Sequence, residues 1–255
     1  MTQSVAFIGL GAMGYRMAAH LPKYFDTVYV WNRNFSKAEQ HATEFGTIAV
    51  ELEQAAQADV IFSCLPTSQD VENLISSIKI KSGAIWIDCT SGVPDAARRL
   101  AEQLKAQNVA FLDAPVSGQT IGAENATLTF MVGGDIDAFE RAYPAMSALG
   151  KLIQHVGESG AGFAVKAINN MLLAVNLWSV AEGFTTLKAH GVNLDAALNC
   201  INASSGKSLV TENIFPQRVL SREFPVTFAL PLLAKDTGIA LDLVHDAKLP
   251  APILS

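Results

Sequence analysis

One predicted helix carries residue types that can move a proton. Lys166 and Asn170 are four residues apart, so on a helix they share one face. Their neighbours Phe163, Val165 and Ile168 are apolar. Desolvation by these side chains would lower the pKa of the lysine towards working pH, as an acid and base acting on an alcohol requires. The alternative is a helix lysine that extends to solvent.

A second polar segment follows a predicted strand that ends at Asp113. Open α/β sheets bind ligands at the carboxyl ends of their strands. Ser117 offers a hydroxyl group there, and Gly118 leaves backbone N–H groups accessible. The segment therefore predicts a cradle for a carboxylate, and a glycine-rich loop without a ligand is the alternative.

The motif GxGxxG directly follows the first predicted strand and leads into a helix. Its first glycine permits a tight turn, its second lets a pyrophosphate approach the backbone, and its third lets the helix pack on the strand. A glycine-rich turn can also arise for steric reasons alone. In this position it predicts a dinucleotide site formed by Gly9, Leu10, Gly11, Ala12, Met13 and Gly14.

The end of the second predicted strand distinguishes NADP from NAD. An acidic residue at that point would bind the ribose 2′-hydroxyl group of NAD. The sequence has Asn32 and Arg33 instead, and Lys37 follows in the next helix. Arg33 can pair with a 2′-phosphate through two hydrogen bonds. We therefore expect NADP in preference to NAD, and an arginine on a solvated loop is the alternative.

The elements that position these residues fall into two halves. Short apolar runs alternate with amphipathic stretches up to about Val156, a pattern typical of parallel strands joined by helices. Strand-like alternation then stops, and a long helix without proline follows. The sequence predicts an α/β fold: a Rossmann-type doubly wound domain over residues 1–159, followed by an all-α domain over 160–255.

The pattern also predicts the bounds of individual elements. Strands are expected at 5–8, 28–31, 60–65, 84–88, 110–113, 128–132 and 152–156. Helices are expected at 13–20, 36–45, 68–77, 94–106, 136–148, 163–190 and 232–246, with another that begins after Asn193 as its cap. Loops are expected at 203–208 and 215–231.

Composition indicates an ordinary globular protein of one or two domains, with half of its 255 residues apolar. A net charge of −6 without basic clusters argues against nucleic acid and membrane surfaces as partners. Neither the three cysteines nor the five histidines have metal-ligand spacing, so no metal is expected. Together with the absence of a secretory signal, the cysteines favour the cytoplasm. The apolar stretch 171–180 is shorter than the roughly 20 residues of a membrane span.

Together these motifs resemble the β-hydroxyacid dehydrogenase family within the 6-phosphogluconate dehydrogenase superfamily. That family includes 3-hydroxyisobutyrate dehydrogenase and the NADPH-dependent glyoxylate and succinic semialdehyde reductases. The resemblance covers essentially the whole chain. It depends on four motifs in order: the turn from Gly9, DAPVSG from Asp113, GxxxKxxNN from Gly162, and LxxKD from Leu232.

The resemblance implies an oxidoreductase that transfers a hydride between NADP(H) and a small 3-hydroxy acid or aldehyde carboxylate. Lys166 would be the acid/base, Ser117 and Gly118 would hold the substrate carboxylate, and Asn170 would orient the reacting oxygen. A homodimer or homotetramer is also expected. Further cofactor contacts are implied for Leu65, Pro66, Thr90 and Lys235.

The sequence departs from the family pattern at two places. Gln119 replaces the last glycine of DAPVSGG, which makes the substrate less certain. The chain ends at Ser255, where family members usually continue, so we expect an all-α domain that lacks its C-terminal helices. Two alternatives remain: a non-catalytic NADP-binding or interaction module, and an imine reductase, which Lys166 disfavours. Asp236 and Asp242 are expected to cap a helix or face solvent.

Overall fold

The computed structural model describes residues 3–225 and 228–253. These residues form two compact units, the first ending at Lys166 and the second beginning at Ala167. The first unit contains a parallel-dominated sheet with helices on both faces, and the second is helical in its described residues. The predicted fold class, a Rossmann-type sheet followed by a helical region, is confirmed.

The sheet of the first unit has the strand order of a doubly wound fold. Within the described residues its order is β3-β2-β1-β4-β5-β6-β8-β7, and β9 pairs with β8. The chain order therefore reverses between β1 and β4, where such sheets bind dinucleotides. The strands are β1 Val5–Ile8, β2 Val28–Trp31, β3 Ile48–Ala49, β4 Val60–Ser63, β5 Ile85–Asp88, β6 Ala110–Asp113, β7 Val116–Ser117, β8 Leu128–Gly134 and β9 Gly150–Gly157.

One expectation about strand direction is wrong. The alternating pattern up to Val156 predicted parallel strands throughout, yet β8 runs antiparallel to both β6 and β7. The strands from β1 to β6 pair with one another in parallel, and β9 is parallel to β8. The connection between β6 and β8 contains β7 and a six-residue helix, Gln119–Glu124, in place of the single crossover helix that usually joins parallel strands.

Both faces of the sheet are buried because helices cover them. Along β1, Val5 and Phe7 pack into one apolar cluster, whereas Ala6 and Ile8 pack into the other. Successive side chains of a strand point to opposite faces, so a strand buried on both sides reads as a continuous apolar run. The helices of this unit are α1 Gly14–Ala18, α2 Phe35–Phe45, α3 Leu52–Ala55, α4 Ser68–Ser76, α5 Pro94–Lys105, α6 Gln119–Glu124 and α7 Ile136–Ser147.

The second unit packs helices around two apolar clusters. Phe184, Leu198 and Phe215 form the centre of one, and Ala167 packs against Ile239 in the other. The predicted loop 215–231 is partly wrong, because residues up to Leu220 belong to a π-helix; residues 226 and 227 lie outside the described residues. The elements are α8 Ala161–Ala189, which begins in the first unit, α9 Leu194–Asn202, the π-helix Val210–Leu220 and α10 Leu230–Asp246.

Helix α8 is longer than the apolar stretch recognised in the sequence. It is 29 residues long, and among the described helices it alone has the length and composition to cross a membrane. Helices in the cores of soluble proteins meet the same criteria. Much of its apolar surface is exposed in the single chain, including Leu172 and Trp178.

Candidate active site

The glycine-rich turn between β1 and α1 leaves open space on one side and none on the other. Gly9 has φ +95°, and a Cβ atom there would lie 2.5 Å from the carbonyl oxygen of Cys64. A Cβ atom on Gly14 would overlap the carbonyl oxygen of Gly9. At Gly11, in contrast, a Cβ atom would meet nothing within 4 Å. A dinucleotide phosphate fits this open side, where backbone can approach it closely.

The end of β2 is tied to this turn through Asn32. The side-chain oxygen of Asn32 accepts a hydrogen bond from the Leu10 amide at 3.0 Å, and its Nδ2 donates to the Asn34 carbonyl at 3.0 Å. Asn32 therefore shapes the turn itself. Arg33 and Lys37 are exposed beside it, so their charges are available to an anion.

A hydrogen-bonded chain joins the ends of β4 and β5. The Thr90 hydroxyl accepts from the Leu65 amide at 3.1 Å, and the Thr90 amide donates to Asp88 Oδ1 at 3.1 Å. Asp88 also accepts from the Ser63 hydroxyl at 2.9 Å. Asp88 is fully buried, and burial raises its pKa to about 6. This carboxyl group fixes Thr90 and, through it, Leu65, whereas the adjacent Pro66 is exposed.

The predicted carboxylate cradle lies between β6 and α6. Ser117 is half-buried in β7, and Gly118 is exposed with φ +131°. Gln119 begins α6 with φ +58°, in the left-handed region that favours glycine. The residue that departs from the family pattern is thus held in a strained backbone conformation, a condition that tends to persist at functional sites.

Lys166 lies half-buried in the second turn of α8. Of its apolar neighbours in the sequence, Phe163 is 1% exposed, whereas Val165 and Ile168 are 40% and 37% exposed. Two of the three apolar side chains expected to desolvate Lys166 are therefore themselves partly exposed to solvent. A helix side chain shares its face with positions three or four residues away, and Val165 is adjacent in the sequence instead.

Asn170, one turn after Lys166, is 4% exposed and tightly held. Its Nδ2 donates to Asp236 Oδ2 at 2.5 Å, and its Oδ1 accepts from Asn169 at 3.0 Å. The ammonium group of Lys235 lies 3.2 Å from the other oxygen of Asp236. The structure therefore brings the predicted residues Asn170 and Lys235 together through one carboxylate in the second unit.

The sequence did not predict that three carboxyl groups near the proposed site residues, those of Asp88, Asp113 and Asp236, are buried. Asp236 is 2% exposed, so its expected place at a cap or in solvent is wrong, whereas Asp242 is exposed as expected. Asp88 and Asp113 were not assigned any role, and both are fully buried. Their positions in the sequence could have pointed to them: Asp88 and Asp113 end neighbouring strands, and Asp236 belongs to the LxxKD motif.

Family models match nearly the entire chain. The NAD binding domain of 6-phosphogluconate dehydrogenase matches residues 4–157. The NAD-binding domain of NADP-dependent 3-hydroxyisobutyrate dehydrogenase matches residues 160–255.

Individual relatives agree with this assignment. The chain is 36% identical to 2-(hydroxymethyl)glutarate dehydrogenase of Eubacterium barkeri, covering 98% of this chain and 85% of that one. It is 35% identical to the NAD-dependent L-serine dehydrogenase of Pseudomonas aeruginosa, covering 98% and 88%. Among solved structures, 3-hydroxyisobutyrate dehydrogenase of Mycobacterium tuberculosis with L-serine is 31% identical, with a TM-score of 0.93 and coverage of 100% and 90%.

The phosphate-binding turn, the helix with Lys166 and Asn170, and these matches point to one assignment. The fold provides for a nicotinamide dinucleotide, and the relatives are hydroxyacid dehydrogenases. The chain belongs to the β-hydroxyacid dehydrogenase family of NAD(P)-dependent oxidoreductases.

Proposed function

We propose that this protein transfers a hydride between NADP(H) and a small 3-hydroxy acid or aldehyde carboxylate, with Lys166 as the acid/base. The observation that carries the proposal is the pair formed by Lys166 and the buried Asn170 on consecutive turns of α8. The cofactor supplies or accepts the hydride when bound. The residues of this chain supply orientation and a proton.

Each protein group has a separate role in the reductive direction. The hydroxyl group of Ser117 and the backbone N–H groups around Gly118 hold the substrate carboxylate. Asn170, fixed by Asp236, donates a hydrogen bond to the carbonyl oxygen of the substrate. Lys166 Nζ, as an ammonium, gives its proton to that oxygen as the alcohol forms. Oxidation of the alcohol reverses these steps, so neutral Lys166 then takes the proton.

Support for NADP comes from the residues at the end of β2. Arg33 and Lys37 are exposed there, and Asn32 stands where NAD-binding sheets have a carboxylate. The names of relatives point in both directions, since one is an NAD-dependent L-serine dehydrogenase and one matching family is described as NADP-dependent. The charges of this chain favour NADP.

The chemistry of the relatives' substrates supports the proposed class. 2-(Hydroxymethyl)glutarate, L-serine and 3-hydroxyisobutyrate each carry a hydroxymethyl group and a carboxylate on one carbon. They differ in the third substituent of that carbon. We propose that this chain acts on the same primary alcohol or the corresponding aldehyde.

We also propose that the protein is a homodimer or homotetramer. Trp178 and Leu172 on α8 are 71% and 53% exposed in the single chain. An open groove of about 570 Å³ within the second unit includes Trp178 and apolar residues of α10 such as Leu241. Exposed apolar surface of this kind marks interaction sites. Light scattering at several protein concentrations measures the assembly directly.

A turnover screen tests the class, cofactor and substrate together. Glyoxylate, succinic semialdehyde, tartronate semialdehyde and methylmalonate semialdehyde are offered with NADPH, and L-serine and 3-hydroxyisobutyrate with NADP⁺. We expect turnover of at least one compound that carries a carboxylate. NADPH binding without turnover of any of them would favour the non-catalytic module.

Replacement of the acid/base tests the assigned mechanism. Lys166→Ala should lower kcat by about 100- to 10,000-fold, the usual contribution of a positioned acid or base, while the Kd for NADPH stays unchanged. Lys188→Ala removes an exposed lysine from the last turn of the same helix and should leave kcat unchanged. An undiminished kcat in Lys166→Ala would contradict the mechanism.

A further inference from the structure

Asp113 is the last residue of β6, and its fully buried carboxylate accepts hydrogen bonds from backbone amides at the start of α8. Oδ1 accepts from the Gly160 amide at 2.7 Å, and Oδ2 accepts from the Phe163 amide at 2.9 Å. Gly160 immediately precedes α8 and Phe163 lies in its first turn, where N–H groups have no acceptor inside the helix. A residue far away in sequence thus caps this helix through two bonds.

Three glycines allow the backbone to close around this carboxylate. A Cβ atom on Gly133 would lie 2.6 Å from Asp113 Oδ1, and one on Gly162 would lie 2.5 Å from the Asp113 carbonyl oxygen. Gly160 has φ +96°, which a side chain would strain. Strands β6 and β8 therefore contact the first turn of α8 with no space for adjustment.

Two bonds from one planar carboxylate restrict more than one bond can. A single cap would fix one amide at the start of α8, whereas the bonds to the Gly160 and Phe163 amides fix two points and thereby the rotation of the turn. Lys166 follows Phe163 by three residues, so its side chain leaves the helix in a direction set by this turn.

We propose that Asp113 is a positioning residue for Lys166. This inference depends on the proposed acid/base role of Lys166. Asp113 also lies four residues before Ser117 in the same segment, so one carboxylate ties the lysine helix to the strand that leads into the carboxylate cradle. Displacement of a reacting group by about 1 Å can slow a reaction by about 100-fold, which makes this attachment part of the reaction geometry.

The test replaces the carboxylate while preserving its size. Asp113→Asn keeps one acceptor but turns an NH₂ group towards the second amide, so the first turn of α8 should tilt. We expect kcat, per NADPH-binding site, to fall by about 10- to 100-fold. The Kd for NADPH should stay within twofold, because the glycine-rich turn contains none of the altered bonds.

A matched control separates positioning from general helix capping. Asp135 starts α7 in the same unit and accepts from the Ala138 amide at 2.9 Å. Asp135→Ala removes this acceptor from a helix start and should lower the melting temperature with kcat unchanged. A kcat of Asp113→Asn within twofold of that control would overturn the proposal.

A second variant keeps the test decisive if Asp113→Asn does not fold. Asp113→Glu retains the charge and both acceptors but adds one methylene group, so it displaces the turn rather than releasing it. Its kcat should fall at least tenfold while NADPH still binds, and full activity would overturn the proposal. Lys166→Ala is measured in parallel: if it is fully active the proposed function fails, whereas if it is inactive and both Asp113 variants are active only the present inference fails.

Discussion

At the scale of single residues, Asn170 has little freedom to reorient. Its amide nitrogen donates to Asp236 and its oxygen accepts from Asn169, so the two ends of the amide cannot exchange without breaking both bonds. A carboxylate such as Asp236 has hydrogen-bond acceptors and no donor. The end of the Asn170 amide that faces it must therefore be the nitrogen. A substrate oxygen near Asn170 would therefore meet a donor rather than an acceptor.

The proposed preference for NADP can be tested at Arg33, one of the two exposed cations after β2. Arg33→Asp should shift the ratio of kcat/KM for NADPH over that for NADH by about 10- to 100-fold towards NADH. That shift corresponds to about 1.4 to 2.8 kcal/mol, the range of a hydrogen bond to a charged group. Steady-state kinetics with both cofactors measures it. Arg141→Asp makes the same charge change on α7 and should leave the ratio unaltered; an equal shift in both variants would refute the assignment.

Gln119 combines backbone strain with a place beside the carboxylate cradle. Gln119→Gly should relieve its left-handed conformation by about 1 kcal/mol and raise the melting temperature by about 2–4 °C. It should also change the order of kcat/KM among aldehydes that differ in size. Ala126→Gly relieves a similar conformation, φ +52°, two residues after α6 and should raise stability without changing that order. Identical substrate preferences in both variants would show that Gln119 does not select substrates.

At the scale of elements, the sequence predicts the helices and strands that are long enough to show a hydrophobic periodicity. Strand β1 matches its expected bounds, and α5 differs from them by one residue. Strands β3 and β7 have two residues each, and α3 has four, too few for any periodicity. The π-helix escaped prediction because Pro216 and nearby polar residues are typical of loops.

The candidate site shows a similar division. Gly9, Lys166 and Ser117 could be proposed as site residues because glycine spacing and motif order are properties of the sequence. The partners of Asp113 and Asp236 could not, since they lie 47 to 66 residues away and depend on how elements pack. The sequence predicts which groups carry the chemistry, and packing determines which groups hold them.

At the scale of the whole molecule, buried carboxyl groups make stability depend on pH. Burial raises the pKa of Asp88 from 3.8 to about 6, so the folded protein binds this proton more tightly than the unfolded chain. The stabilisation is complete below about pH 4 and is lost as the pH rises through 6. Asp88→Asn should remove on the order of 2 kcal/mol of this pH dependence, measured as the free energy of unfolding in urea at pH 4.5, 5.5 and 6.5.

Asp59 provides the opposite case for comparison. Hydrogen bonds from Lys81 and Ser4 lower the pKa of Asp59, so its stabilisation is present above its unfolded pKa and is lost as the pH falls. Asp59→Asn should therefore change the pH slope in the opposite sense to Asp88→Asn, and it should do so below about pH 4, so its unfolding in urea is measured from pH 4.5 downwards. Parallel slopes for the two variants would contradict the assigned causes.

The long separation between Asp113 and its partners affects the order in which the protein is completed on the ribosome. Phe163 is synthesised 50 residues after Asp113, which at about 5–20 residues per second corresponds to roughly 3–10 seconds. All strands of the described sheet precede Gly160 in the chain. The strands of the nascent chain can thus pair before the Asp113 carboxyl has either of its amide partners. The rate of translation over residues 158–163 then sets the time between completion of the sheet and formation of these two hydrogen bonds.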